Sequence, residues 1–145
     1  MKLKILLLSL VTIVTLNAGD FIIKTSNNSV GNTIANIKKI VKSKGMSVFG
    51  IVNHQANAKS VGLKMPEAQV IIFGNPKLGT KIMKKDIRAA LDLPIKILVY
   101  KDNHGHTKIE YLNPKILGNR YNLKGFPVLG KMSHALDAIT TKAGM

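Results

Sequence analysis

The stretch from Val70 to Tyr100, VIIFGNPKLGTKIMKKDIRAALDLPIKILVY, limits the fold more than any other part of the chain. Val70 to Phe73 continues the apolar run of a strand at Gln69–Phe73, short and of the kind buried on both faces. Gly74-Asn75-Pro76 and Asp92-Leu93-Pro94 are turn signals. The first opens a loop, GNPKLGT. The second leads into a strand in which Ile95, Ile97 and Val99 alternate with Lys96, Leu98 and Tyr100. Between them Ile82, Met83, Ile87 and Leu91 give one apolar side, and Asp86 can cap a second turn, which predicts a broken helix after Thr80. Strands joined in this way need a second layer to cover them, so the stretch implies a sheet with helices on it.

The remainder supplies the other elements. Asp20 to Thr25 carries the β-branched run of a first strand. Ser29 then stands as an N-cap before Val30, Ile34, Ile37 and Val41, which recur at helical spacing, and Gly45 supplies the stop. Met46 to Asn53 reads as a strand ending at His54, and Gln55 to Met65 as a small, polar connection. Asp102-Asn103-His104-Gly105 forms a hairpin turn, with Thr107, Ile109 and Tyr111 alternating on the return strand. Asn113-Pro114 starts a short helical segment toward Tyr121. A loop with Gly125, Pro127 and Gly130 leads to a final helix capped by Ser133, with Leu136 and Ile139 inward. The predicted order is β-α-β-β-α-β-β-α, an α/β (α+β) two-layer sandwich with a mixed sheet of about five strands and helices on one face.

Lys2 and Lys4 precede an apolar run from Ile5 to Leu16, and Leu16-Asn17-Ala18 is a fitting cleavage tripeptide. Residues 1–18 therefore read as a secretory signal peptide and residues 19–145 as a single domain, periplasmic or secreted. The apolar run falls short of the roughly 20 residues a membrane helix needs, so no transmembrane span is expected after cleavage. The chain has no cysteine, which excludes a disulfide scaffold, a lipid-anchored lipoprotein and a covalently attached haem. Its 22 Lys and Arg against 7 Asp and Glu give a net charge of +15. In a cytoplasmic chain that excess would suggest nucleic acid. Here the cations are scattered, aromatic residues are few and no nucleic-acid motif occurs, so a solvated cationic surface is the expectation and nucleic acid is not.

The combination IVNHQANAKSVGLKMPEAQVIIFGNPKLGTKIM, then AALDLPIKILVYKDNHG, then YLNP resembles the domain-of-unknown-function family 302. The matching residues are His54, Phe73-Gly74-Asn75-Pro76 with Gly79-Thr80, Leu91-Asp92-Leu93-Pro94 and Asn113-Pro114. They occur in the family's order and span essentially all of residues 19–145. The resemblance implies a compact two-layer α/β domain, a homodimer, often exported, with no assigned activity. Asn53 stands where the family pattern has aspartate, and Lys81 where it has proline.

Candidate site residues follow from position. The Gly74–Thr80 loop joins a strand to a helix start, where free amides can hold an anion, which nominates Asn75, Lys77 and Thr80. It is not a nucleotide phosphate loop, because Thr80 stands where that motif requires lysine. His54 at a strand end can titrate, bind a metal or donate to an anion. Asp92 is either a turn residue bonding its own backbone or a third member of the site. His104 and His106, beside Asp102, form a weak candidate for copper, nickel or zinc. The seven acids are not grouped as a general acid and base, and no Gly-x-Ser-x-Gly motif occurs.

The expectation is thus a non-catalytic exported domain that binds a small ligand or serves as an accessory, with no cofactor identified. Its site is expected where His54, the Gly74–Thr80 loop and Asp92 converge. The alternatives are a periplasmic metal or haem carrier, and an enzyme using His54 as acid–base.

Overall fold

A computed structural model describes residues 19–145. The signal peptide expected over residues 1–18 lies outside the described residues. The chain runs β1 (Phe21–Ser26), α1 (Val30–Ser43), β2 (Ser47–Asn53), α2 (His54–Ser60), β3 (Ala68–Gly74) and α3 (Pro76–Lys85). A 3₁₀ turn at Ile87–Leu91 follows, then β4 (Ile95–Lys101), β5 (Thr107–Leu112), α4 (Lys115–Arg120) and α5 (Pro127–Gly144).

The strands form one sheet in the order β1-β5-β4-β3-β2. The two-layer α+β architecture and the five strands are as expected. The sheet, however, is antiparallel at every ladder rather than mixed. The reason lies in α1, which carries the chain from β1 at one edge to β2 at the other, so these two strands, which run the same way, never become neighbours. From β2 onward each strand returns beside the one before it.

One face of the sheet makes the main core. Ile71 and Phe73 on β3, Ile97 and Val99 on β4, and Ile109 and Tyr111 on β5 point to it at the period of 2 that a pleat imposes. Val30, Ile34, Ile37 and Val41 on α1 and Leu136, Ile139 and Ala143 on α5 close it from above. Ser29 caps α1 by accepting from the Asn32 amide at 3.1 Å. Gly45 ends it at φ +71°, a conformation glycine adopts without steric cost. The other face turns away from α1 and α5, and Val70, Ile72, Leu98 and Leu112 there are half-buried. β3 is therefore buried on one face, not on both as its unbroken apolar run suggests.

A second, smaller core gathers Ile82, Ala89, Leu117, Leu123 and Leu129. It lies under α3, the 3₁₀ turn, α4 and the start of α5. Met132 packs against both cores.

Three local expectations are corrected. His54 does not end a strand before a loose connection: it is the first residue of α2, whose cap is Asn53. Pro76 to Thr80 are not loop but the opening of α3. α5 begins at Pro127 rather than after Ser133, since proline at the first helical position costs no hydrogen bond. The broken helix does form, with Asp86 ending α3 and capping the 3₁₀ turn.

Candidate functional site

The GNP segment shows how local chemistry shapes the end of β3. The Asn75 side chain accepts from the amides of Lys77 at 3.0 Å and Leu78 at 3.3 Å, while the Gly79 amide bonds the Asn75 carbonyl at 2.9 Å. Pro76 has no N–H to give. The first-turn donors of α3 are therefore engaged within the chain, and the free amides expected of an anion cradle are not there. Lys77 and Thr80 are exposed on the helix surface.

Asp92 is tied into the scaffold. Its carboxylate accepts from the Tyr121 hydroxyl at 2.8 Å and from the Arg120 guanidinium at 3.2 Å, joining the end of the 3₁₀ turn to the end of α4. The hydrogen bond to Asp92 raises the Tyr121 pKa above its ordinary value, with burial adding to it. Asp86 is held in the same manner. Its carboxylate, 8% exposed, accepts from Arg88 at 2.6 Å and from the Asn122 amide at 3.1 Å. The Arg88 side chain first, then that amide, holds its carboxyl far below the usual range.

His54 stands elsewhere. In the β2–β3 ladder Asn53 faces Gln69, whereas Ser47 faces Gly74. His54 and the start of α3 are thus at opposite ends of the hairpin, about 20 Å apart at some 3.3 Å per residue. The expected convergence of His54 with Asn75, Lys77, Thr80 and Asp92 does not occur. His54 shares its end of the sheet with the β4–β5 turn, where the His104 and His106 rings are 6.3 Å apart. Asp102 there accepts from the amides of His104 and His106, each at 2.9 Å. Burial pushes its carboxyl up, but those amides, with the charges of His106 and Lys108, bring it below its ordinary value. Among the described residues no group of three or more His, Asp or Glu is placed to hold a metal ion.

The feature that pattern reading missed is a cleft. It opens where the two cores meet and holds about 540 Å³, within the range of small-molecule sites, about 300–1,000 Å³. The ends of β3 and β4, with Phe73 and Ile95, make its floor. α3, through Leu78, Gly79 and Met83, makes one wall, and Val128, Met132 and Ala135 of α5 make the other. Phe49 forms a lip. The β2–β3 register shifts between Val48 and Gly50, and this bulge leaves Phe49 57% exposed with its ring against Gly74. Asn75 and Thr80 line the cleft, whereas His54, Lys77 and Asp92 do not. Asp92 borders a second cavity of about 290 Å³ near Arg120 and Leu112.

The cleft lining contains no histidine and no acid. Lys44 and Lys131 are its charged residues. The sequence did carry one signal for it: Met46, Met83 and Met132, three of the six methionines, all line it, and flexible thioether side chains suit a surface that must adapt.

Comparison with known proteins fits this architecture. The crystal structure of an uncharacterized conserved protein DUF302 from Bacillus stearothermophilus superposes with a TM-score of 0.68 at 19% identity, covering 88% of this chain and 97% of that one. The Fluoride-specific ion channel FluC 1 of Brucella suis biovar 1 (strain 1330) is 41% identical over 98 residues, 68% of this chain and 39% of that protein. Its namesake in Brucella abortus biovar 1 (strain 9-941) matches at the same identity over 36% of its length. The chain thus spans about two fifths of these curated relatives. No helix among the described residues is long and apolar enough to cross a membrane. The family model for the Domain of unknown function DUF302 matches residues 22–139, and the chain belongs to that family.

Proposed function

We propose that this protein is an exported, non-catalytic domain that binds a small apolar ligand in the cleft between α3 and α5. The observation that carries this reading is the cleft itself. Each core buries its own apolar residues, yet where the two meet an apolar space of about 540 Å³ stays open. An apolar surface left open costs free energy in water, and a ligand that covers it recovers that cost. Binding is favoured over catalysis because the lining offers no histidine or carboxylate for proton transfer.

The protein acts as a homodimer in this reading. The sheet face turned from the helices offers a surface for it, with Phe21 and Ile23 more than half exposed on β1 and half-buried Leu98 and Val70 on the far side of Glu110. An accessory role is supported by the relatives named as fluoride channels, in which a region resembling this chain is part of a longer protein.

The test is native mass spectrometry of the full-length chain expressed in a host that exports it. The reading predicts loss of residues 1–18 and a reproducible adduct that disappears in Gly79→Leu. Gly79 lines the cleft, and only the Met83 methyl comes within 4.0 Å of a Cβ placed there, so the backbone accepts a side chain at this position. An intact leader would overturn the exported assignment. A bare protein would overturn the resident ligand, and a Soret band would assign the cleft to haem instead.

A further inference from the structure

Lys44 closes α1 and Lys131 lies in the second turn of α5, and both line the cleft. Neither is in an ion pair among the described residues, where the acids at Asp20, Asp86, Asp92, Asp102 and Asp137 already hold other cations. The cleft therefore joins an apolar interior to a rim that carries positive charge and no negative charge. Its interior is aliphatic and thioether for the most part, with Phe49 and Phe73 its only aromatic rings. Such walls give a flat ring system little to stack on but conform to a flexible chain.

From this complementarity we infer that the cleft takes an acyl-chain carboxylate: the hydrocarbon chain lies along Met46, Met83 and Met132, and the carboxylate sits at the mouth with Lys44 and Lys131. This rests on the cleft being a ligand site. It adds the chemical class, since a neutral apolar molecule would gain nothing from the two lysines and a cation would be repelled. The lysines are exposed, so their contribution is modest and specific: about fivefold in affinity for each, the upper end for a solvent-screened ion pair.

The experiment is displacement of the neutral alkyl-chain fluorophore 11-(dansylamino)undecanol from the full-length chain by laurate, dodecanol and dodecyltrimethylammonium, three ligands sharing one chain length. Laurate is expected to displace best and the ammonium worst. Lys44→Gln and Lys131→Gln together should bring laurate to the level of dodecanol and leave dodecanol unchanged. Gly79→Leu should abolish displacement by all three, with Ala135→Leu as the second cleft-filling variant if the first does not fold. Equal affinity for laurate and dodecanol, unmoved by the lysine variants but lost in the filled variant, would overturn the carboxylate and keep the cleft as a ligand site. Absence of fluorophore binding, or binding unchanged in a folded cleft-filled variant, would overturn both.

Discussion

Lys44 and Lys131 come from helices that meet the sheet at different places, yet they border one cleft. The first is the C-cap of α1, and the second lies in the second turn of α5. Between α3 and α5 the floor of β3 and β4 is left without a roof, and it is there that the molecule departs from a filled two-layer sandwich.

The carboxylates on the other side of the charge balance set the response to acid. Asp86, Asp102 and Asp137 all have carboxyls below their ordinary values in the fold, Asp137 chiefly through the Lys24 ammonium at 2.6 Å. A group held below its unfolded pKa adds stability above the usual carboxylate value, about 4, and loses that stability as pH falls through its lower folded value. The midpoint of thermal unfolding should therefore be flat from pH 7 to 5 and drop steeply below pH 4. Asp86→Asn should lower it at pH 7 and lessen the acid drop. A midpoint that rises on acidification would contradict the assignment.

Asn53 offers a second check. Its side chain accepts from the Ala56 amide at 2.9 Å, the ordinary bond of an N-cap. Asparagine and aspartate serve that position about equally well. Asn53→Asp, which restores the residue of the family pattern, should leave stability in urea unchanged, and Asn53→Ala should cost about 1 kcal/mol. A large loss from the aspartate would show that the position does something other than cap α2.

The sheet face away from the helices predicts the oligomer. The full-length chain should sediment as a dimer, and Ile23→Lys with Leu98→Lys, each facing Glu110, should yield a folded monomer by the same measurement. Both side chains point away from the core, so the substitutions add charge to the surface without opening a cavity. A wild-type monomer, or a dimer indifferent to both changes, would remove this face as the interface.

How far the sequence could be read followed from the range of the forces involved. Helix α1 was legible because its cap, its apolar spacing and its glycine stop are all local to the segment. The β4–β5 hairpin was legible for the same reason. Asn53 and Asn75 misled because asparagine is both a loop residue and a helix cap, and the difference rests on which amides come to meet it. Pro127 reads as loop in the sequence although it opens α5, since proline marks both a break and a first turn. The end-to-end separation of His54 from Asn75 depended on strand direction, which one antiparallel ladder decides and no motif records. The cleft was least legible of all. It is a shortfall in packing between two cores, and its lining comes from four separate stretches of chain.

The most direct test of the account uses the methionines. With methyl-13C methionine incorporated into the full-length chain, laurate is titrated and the methyl resonances are followed. Met46, Met83 and Met132 line the cleft, while Met65 and Met145 lie outside it and are exposed. The three cleft methyls should shift together and saturate at one ligand concentration, with Met65 and Met145 unmoved. Shifts at Met65 or Met145 alone, or none at any methyl, would contradict it.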